Sequence, residues 1–289
     1  MRIAHIIVAH KNPAQLEKLI RAMYHPDFDF YIHLDKKVDI GPFEYLKEVP
    51  RVHFIKDRTV CNWGGFSLVE AVIKSIDEIR KTGIAYDFVN LMSGQDYPIK
   101  KVDEIYNFFD ERLGYSFISY DSSRETQWWK EAEKRYKTFH FTDMDFKGKY
   151  VIQRIANKII PNRKFPVSLN LYGGNRSCWW TISFECALYL SAFFKANPKM
   201  INFLRLTWGC DEFIIATILM NSPYQDKIVN ENYRFIDWSA GEAHPKVFTE
   251  SDYANIIDSS MLFARKFDLD IDAKVIGLLD ANVLAVKPD

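Results

Sequence analysis

Short apolar, β-rich runs alternating with helical periodicity constrain the first third of this chain more than any other feature does. IAHIIVA at Ile3–Ala9 reads as a strand, and Pro13–Tyr24 as a helix with Leu16, Leu19, Ile20 and Met23 on one face. Phe30–Leu34 and Val52–Ile55 read as further strands, Leu68–Ile79 as a helix and Asp87–Met92 as a fourth strand. Such alternation predicts an α/β fold with a mainly parallel central sheet flanked by helices, whose ligand crevice lies at the carboxyl ends of the strands. The loops expected there are His10-Lys11-Asn12, Asp35-Lys36-Lys37 and Ser93-Gly94-Gln95-Asp96.

Farther on, Arg124–Lys164 turns charged and aromatic (QWWKEAEKRYKTFHFTDMDFKGKY) with mixed periodicity, which marks an insertion able to supply acceptor contacts. A strand at Cys178–Ser183, a helix at Phe184–Ala196, a short helix at Asp211–Met220 and a strand-like run at Ile228–Ile236 follow. No repeat, low-complexity tract or linker interrupts them. The expectation is one domain over residues 1–289, with an N-terminal half at 1–120 whose strand ends suit a nucleotide, the insertion at 121–170 and a C-terminal half at 171–289.

Of the 289 residues, 48% are hydrophobic and 26% charged, enough to bury a sizeable core. Lys plus Arg and Asp plus Glu number 38 each, so no global positive field recommends a nucleic acid, and any phosphate site must be local. Cys61, Cys178, Cys186 and Cys210 lack zinc-ligand or C-x-x-C spacing and read as reduced thiols. The N-terminal apolar run is too short for a signal peptide, and no uncharged stretch approaches the roughly 18 residues of a membrane span. A cytoplasmic protein is the expectation.

Asp96, in LMSGQDYPIK, directly follows a strand. It either meets a nucleotide-sugar donor or stabilises a Pro98-containing turn. The Asp-x-Asp pairs that a divalent ion would need are Asp27/Asp29, Asp143/Asp145 and the run Asp268–Asp272; their positions argue against a metal site. Arg265 and Lys266, adjacent in FARKFD, suit a diphosphate as readily as a solvated surface, and Lys246 is a third cation. Asp211 and Glu212 precede the apolar FIIATILM. Asp211 suits the helix cap, which leaves Glu212 either to take a proton in a cleft or to face the helix dipole. Trp63-Gly64-Gly65 is a turn or a place of close backbone approach, Trp179-Trp180 lie on a strand, and His10, His33 and His244 read as loop or core residues.

Taken in order, IIVAHKNPAQLEKLIRAMYHPDFDFYIHLDKK, WGGFSLVEA, DFVNLMSGQDYPIK, WWTIS, DEFIIATILMNSP, YRFIDWS, HPKV and LFARKFD resemble the core-2/I-branching β-1,6-N-acetylglucosaminyltransferase family (glycosyltransferase family 14), which includes peptide O-xylosyltransferases. The resemblance implies a GT-A fold, a UDP-sugar donor carrying N-acetylglucosamine or xylose, a glycan or peptide hydroxyl as acceptor, inversion at the anomeric carbon and no metal ion. The family's catalytic base falls on Glu212, with Cys210 where the family has Pro. Its diphosphate contacts fall on Arg265, Lys266 and Lys246, its nucleoside contacts on Val8 and Asp35, and an acceptor-side aromatic on Trp238. Asp96 and Trp180 are expected to line the donor pocket. Few cysteines and no anchor set the chain apart from the family's animal members, and suggest a bacterial-type catalytic domain, peripheral to the inner face of the membrane where its acceptors are membrane-associated. The rival readings are a glycoside hydrolase using Asp96 and Glu212 as paired carboxylates, and an inactive sugar-binding protein on the same fold.

Overall fold

The computed structural model describes residues 1–284, so the last residues of the expected 171–289 segment lie outside the described residues. In chain order the elements are β1 (Ile3–Ala9), α1 (Pro13–Ala22), β2 (Phe28–Leu34), β3 (Val52–Phe54), α2 (Ser67–Lys81), β4 (Phe88–Ser93), β5 (Asp96–Pro98), α3 (Val102–Asp110), β6 (Ser116–Ile118), α4 (Gln127–Lys137) and α5 (Lys149–Ile159). They continue with β7 (Trp180–Ser183), α6 (Phe184–Ala196), α7 (Pro198–Leu204), α8 (Ile214–Met220), β8 (Ile228–Val229), β9 (Arg234–Ile236), α9 (Tyr253–Asp258), β10 (Phe263–Arg265) and α10 (Lys274–Leu279). Two compact units emerge: residues 1–56, 85–115 and 233 onward form one, and residues 57–84 and 116–232 the other. Among the described residues no helix is long and apolar enough to cross a membrane.

In the first unit β3, β2, β1 and β4 lie side by side, all parallel; Ile3 sits between Phe28 and Phe88, and Val8 between His33 and Ser93. This is the mainly parallel α/β architecture that the alternation predicts. Every residue of β2 and β4 is buried, as in a parallel sheet covered on both faces. Asp29 is the acidic residue of a strand that also buries His33. Its carboxylate accepts hydrogen bonds from Arg2 Nε (2.8 Å) and Tyr86 Oη (3.0 Å). Burial would raise it, but hydrogen bonds from His53, Arg2 and Tyr86 hold it at about 2. The chain leaves β1 toward β2 on one side and returns as β4 on the other, so the switch point where α/β sheets bind ligands lies between Val8 and Ser93. A smaller sheet completes this unit: β10 pairs antiparallel with β5 and parallel with β9.

The second unit holds β6, paired antiparallel with β7 and parallel with β8, together with α2 and α4 to α8. Asp77 of α2 accepts from Ser191 Oγ and Lys195 Nζ of α6, both at 2.6 Å, which pins the two helices together. The single strand-like run expected at Ile228–Ile236 is two strands in different units. Asn232 turns its amide inward to Arg176 O (2.7 Å), and Tyr233 adopts φ +55°, so the extended backbone breaks there. Helix α2 belongs with residues 116–232 rather than with the N-terminal strands that flank it in sequence.

Candidate active site

Three loops of the first unit gather at the carboxyl ends of β1, β2 and β4. Gly94 N–H donates to Val8 O (2.9 Å) and Asp35 N–H to Ala9 O (2.8 Å), joining both neighbouring loops to the end of β1. Buried Gln15 of α1 binds the segment after β10 to the same place: Nε2 donates to Gly94 O (3.1 Å) and Phe267 O (3.0 Å), and Oε1 accepts from Leu269 N–H (2.9 Å). Val8 and Asp35 therefore stand beside the FARKFD segment. Asp35 accepts from Lys37 N–H (3.0 Å) and pairs with Lys37 Nζ at 3.4 Å.

Cations concentrate in this corner. Burial, then the charges of Arg265 and Lys11, pull the Lys266 ammonium below its ordinary value. Burial, Lys11 and Lys266 do the same to His10. Lys11 Nζ meets Asp268 at 2.5 Å, and Gln95 Nε2 donates to the same carboxylate at 3.2 Å. A half-buried ammonium and an imidazole beside further cations are poised for an anion. Lys246 reaches the corner through its backbone, with Lys266 N–H donating to Lys246 O at 3.4 Å, while its own ammonium pairs with Asp252 at 2.6 Å.

Arg265 faces Asp96 across the β5–β10 register, and Arg265 Nη1 lies 3.3 Å from Asp96 Oδ1. Asp96 is 0% exposed and also accepts from Ser93 N–H (3.0 Å). Burial pushes its carboxyl up, against the opposing charges of Arg265 and buried Arg234. Asp96 thus closes the turn after β4 and pairs with Arg265, with no exposed surface of its own to meet a donor. Trp238 is partly exposed, with its indole N–H buried and unpaired.

Glu212 and Trp180 belong to the second unit. Glu212 Oε2 accepts from Trp128 Nε1 (2.7 Å) and pairs with Arg135, both on α4. Both contacts fall on Oε2, which leaves Oε1 for another donor. The guanidinium of Arg135 lies 4.5 Å from the Trp208 ring centre, and Trp208 meets Trp63, 64% exposed, edge to face at 5.3 Å. The charged insertion therefore delivers two residues onto the expected base. Trp128 and Arg135 are seven apart, two helical turns, and that spacing in QWWKEAEKR was the available signal.

Asp211 does not cap α8, contrary to expectation. Residues Cys210–Glu212 form a separate 3-10 turn, Phe213 (φ −144°) takes the cap position, and no side chain caps the helix. Asp211 Oδ1 is instead buried without a hydrogen-bond partner. Burial first, then the Glu212 carboxylate, push Asp211 up to about 7 from 3.8. The native state therefore holds this proton more tightly than the unfolded chain does, and stability is lost as pH rises between those values. Asp211→Asn should remove that loss, gaining on the order of 2–4 kcal/mol relative to the parent between pH 4 and pH 8 in urea titrations. Parallel pH dependences would place the proton elsewhere.

The Gly-Gly turn approaches protein. A Cβ on Gly64 (φ +71°) would stand 2.4 Å from Trp208 Nε1, and one on Gly65 2.1 Å from Asp143 Oδ1. Asp143 accepts from Ser67 N–H (3.0 Å), Ser67 Oγ (2.7 Å) and Asn62 Nδ2 (3.1 Å), fastening the start of α2. Trp180 is 0% exposed, a core residue of its unit with no surface to offer a donor.

Residues 3–261 match the model of the Core-2/I-Branching enzyme family. Xylosyltransferase 2 of Rattus norvegicus is 24% identical over 312 residues, covering 100% of this chain and 34% of that protein. Xylosyltransferase 1 of Homo sapiens is 25% identical over 309 residues, covering 97% and 30%. The chain thus spans about a third of the length of the curated relatives it matches. Among solved structures, apo mouse xyloside xylosyltransferase 1 aligns with 91% of this chain and 97% of its own at 8% identity and a TM-score of 0.40. The family match, running from the first strand to the threshold of β10, establishes that the chain belongs to the Core-2/I-Branching enzyme family of glycosyltransferases.

Proposed function

We propose that this chain transfers N-acetylglucosamine or xylose from a UDP-sugar to a glycan or peptide hydroxyl, with inversion and without a metal ion. Glu212 takes the hydroxyl proton as the acceptor oxygen attacks the anomeric carbon. The bond from that carbon to the diphosphate breaks in the same displacement, and Arg265 with Lys266 receive the charge of the departing UDP. Val8 and Asp35 hold the nucleoside, Lys246 assists at the diphosphate and Trp238 faces the acceptor. The observation that supports the reading is the gathering of Arg265, Lys266 and Lys11 where the loops after β1 and β4 meet the segment after β10, with burial and the two neighbouring cations pulling Lys266 below its ordinary value. Metal independence is supported by the engagement of one carboxylate from each Asp pair: Asp29 with Arg2 and Tyr86, Asp143 with Ser67 and Asn62, Asp268 with Lys11 and Gln95. Paired-carboxylate hydrolysis is disfavoured, since Asp96 is buried against Arg265.

The test is UDP release from a panel of UDP-sugars, with and without acceptors, in excess EDTA. Release with one sugar despite the chelator supports the proposal. Activity lost to EDTA and restored by manganese overturns its diphosphate site. Lys266→Ala should weaken UDP binding about tenfold and slow transfer on the order of 100-fold, because it removes a charge aimed at the leaving group. An unchanged affinity for UDP would move the diphosphate elsewhere.

A further inference from the structure

Helix α5 is built inside out. Gln153 and Asn157, one turn apart, face the protein: Phe141 N–H donates to Gln153 Oε1 (2.8 Å), Phe139 N–H to Asn157 Oδ1 (2.7 Å), and Asn157 Nδ2 to Phe139 O (2.9 Å). The apolar residues face away. Ile152 is 50% exposed, Ile155 52% and Ile159 74%, a stripe at helical spacing that Val151 widens, and no residue of α5 is buried. A surface helix that merely completed a fold would turn this stripe inward; here amide hydrogen bonds hold the helix while its apolar side stays bare.

The charge on the helix itself is of one sign. Residues 146–184 contain no Asp or Glu, in a chain whose formal net charge is zero, and Lys147, Arg154, Lys158 and Lys164 are all exposed. Arg154 and Lys158 flank the stripe, and Lys147 and Lys164 lie beyond its two ends. Phe146 and Tyr150, 41% and 64% exposed, add aromatic surface at its start. An apolar face whose own helix carries only cationic charge complements a plane of anionic headgroups over hydrocarbon. It does not complement a second copy of itself, since pairing two such faces would press like charges together.

We propose that α5 is an interfacial docking helix that lays Val151, Ile152, Ile155 and Ile159 into an anionic phospholipid bilayer while the surrounding lysines and Arg154 engage the headgroups. The docking is independent of the transfer chemistry and would hold the chain at a membrane surface without a spanning segment.

Co-sedimentation of the whole chain with sucrose-loaded vesicles tests it. Vesicles of equal parts phosphatidylglycerol and phosphatidylcholine should bind at least about tenfold more tightly than phosphatidylcholine alone, and salt should weaken the binding. Replacing Lys147, Arg154, Lys158 and Lys164 by Gln should cost on the order of 100-fold in affinity for the anionic vesicles. The double variant Ile155→Asp/Ile159→Asp should lose vesicle binding yet keep the parent's thermal unfolding, since neither side chain is in a core. Equal binding to both vesicle types, or either variant binding as the parent does, overturns the proposal. So does a concentration-dependent dimer, measured by sedimentation equilibrium, that the double variant abolishes while the parent ignores vesicles; the occupant would then be a second copy.

Discussion

Glu212→Gln lowers transfer by on the order of 1,000-fold and leaves UDP affinity within about threefold of the parent, if Glu212 removes the acceptor's proton. The substitution is nearly isosteric. A glutamine oxygen in place of Oε2 can still accept from Trp128 Nε1 and Arg135, so the side chain keeps its orientation and loses only the capacity to take a proton. The direction of the split is what discriminates. A residue that merely organised the Trp128–Arg135 cluster would let the amide substitute for it, and activity would fall by a small factor. A base acting only as the acceptor bond forms affects kcat and kcat/KM together, with UDP binding untouched. Single-turnover transfer together with UDP titration calorimetry reads both quantities. Full activity in the variant would remove Glu212 from the mechanism. The geometry adds a finer expectation: with both partners on Oε2, the proton passes to Oε1, so Trp128→Phe should slow transfer through misplacement of the base while the base survives.

The strands and helices that position these groups were legible wherever the signal was local. β1, α1, β2, β4 and α6 follow from apolar runs and one-sided periodicity, and the three loops of the anion corner follow from strand ends in a parallel sheet. What local pattern could not carry was pairing at long range. Asp143 stands in an Asp-x-Asp pair to which the sequence assigns no other role, and only its contact with Ser67, far back in the chain, shows it to be a helix fastener. Asp211 looked like a cap because acids before an apolar helix usually are; the backbone at Phe213 moves the helix start past it. The two tryptophans of the β7 region illustrate the same limit. Alternation along a strand sends Trp179 and Trp180 to opposite faces, and nothing in the sequence says which face is core; Trp180 is the one with no exposed surface. Trp128 and Arg135 were nearer to hand, since their two-turn spacing puts them on one helical face, but their target could not be named without the fold.

Asp96→Ala should destabilise the protein by about 3–5 kcal/mol, seen as a lower urea midpoint, because it leaves buried positive charge without its counter-ion. Asp96 opposes the charges of both Arg265 and Arg234, the latter 1% exposed and hydrogen-bonded through Nη2 to Leu91 O at 2.9 Å. The same carboxylate takes the Ser93 N–H that closes the turn after β4. Two readings of Asp96 make opposite forecasts. As a direct donor contact, its loss would raise the KM for UDP-sugar and leave stability nearly alone. As the residue that positions Arg265, its loss must first unbalance the small sheet, and UDP affinity falls only because Arg265 is no longer held at the diphosphate. Asp96→Asn separates volume from charge, since it fills the same space and can still accept from Ser93; most of the stability loss should persist in it. Removing the opposing charge as well, in Asp96→Leu/Arg265→Met, should recover part of the loss, because an apolar pair has no charge to desolvate. A double variant no more stable than Asp96→Ala would mean that Arg234, not Arg265, is the charge Asp96 chiefly balances.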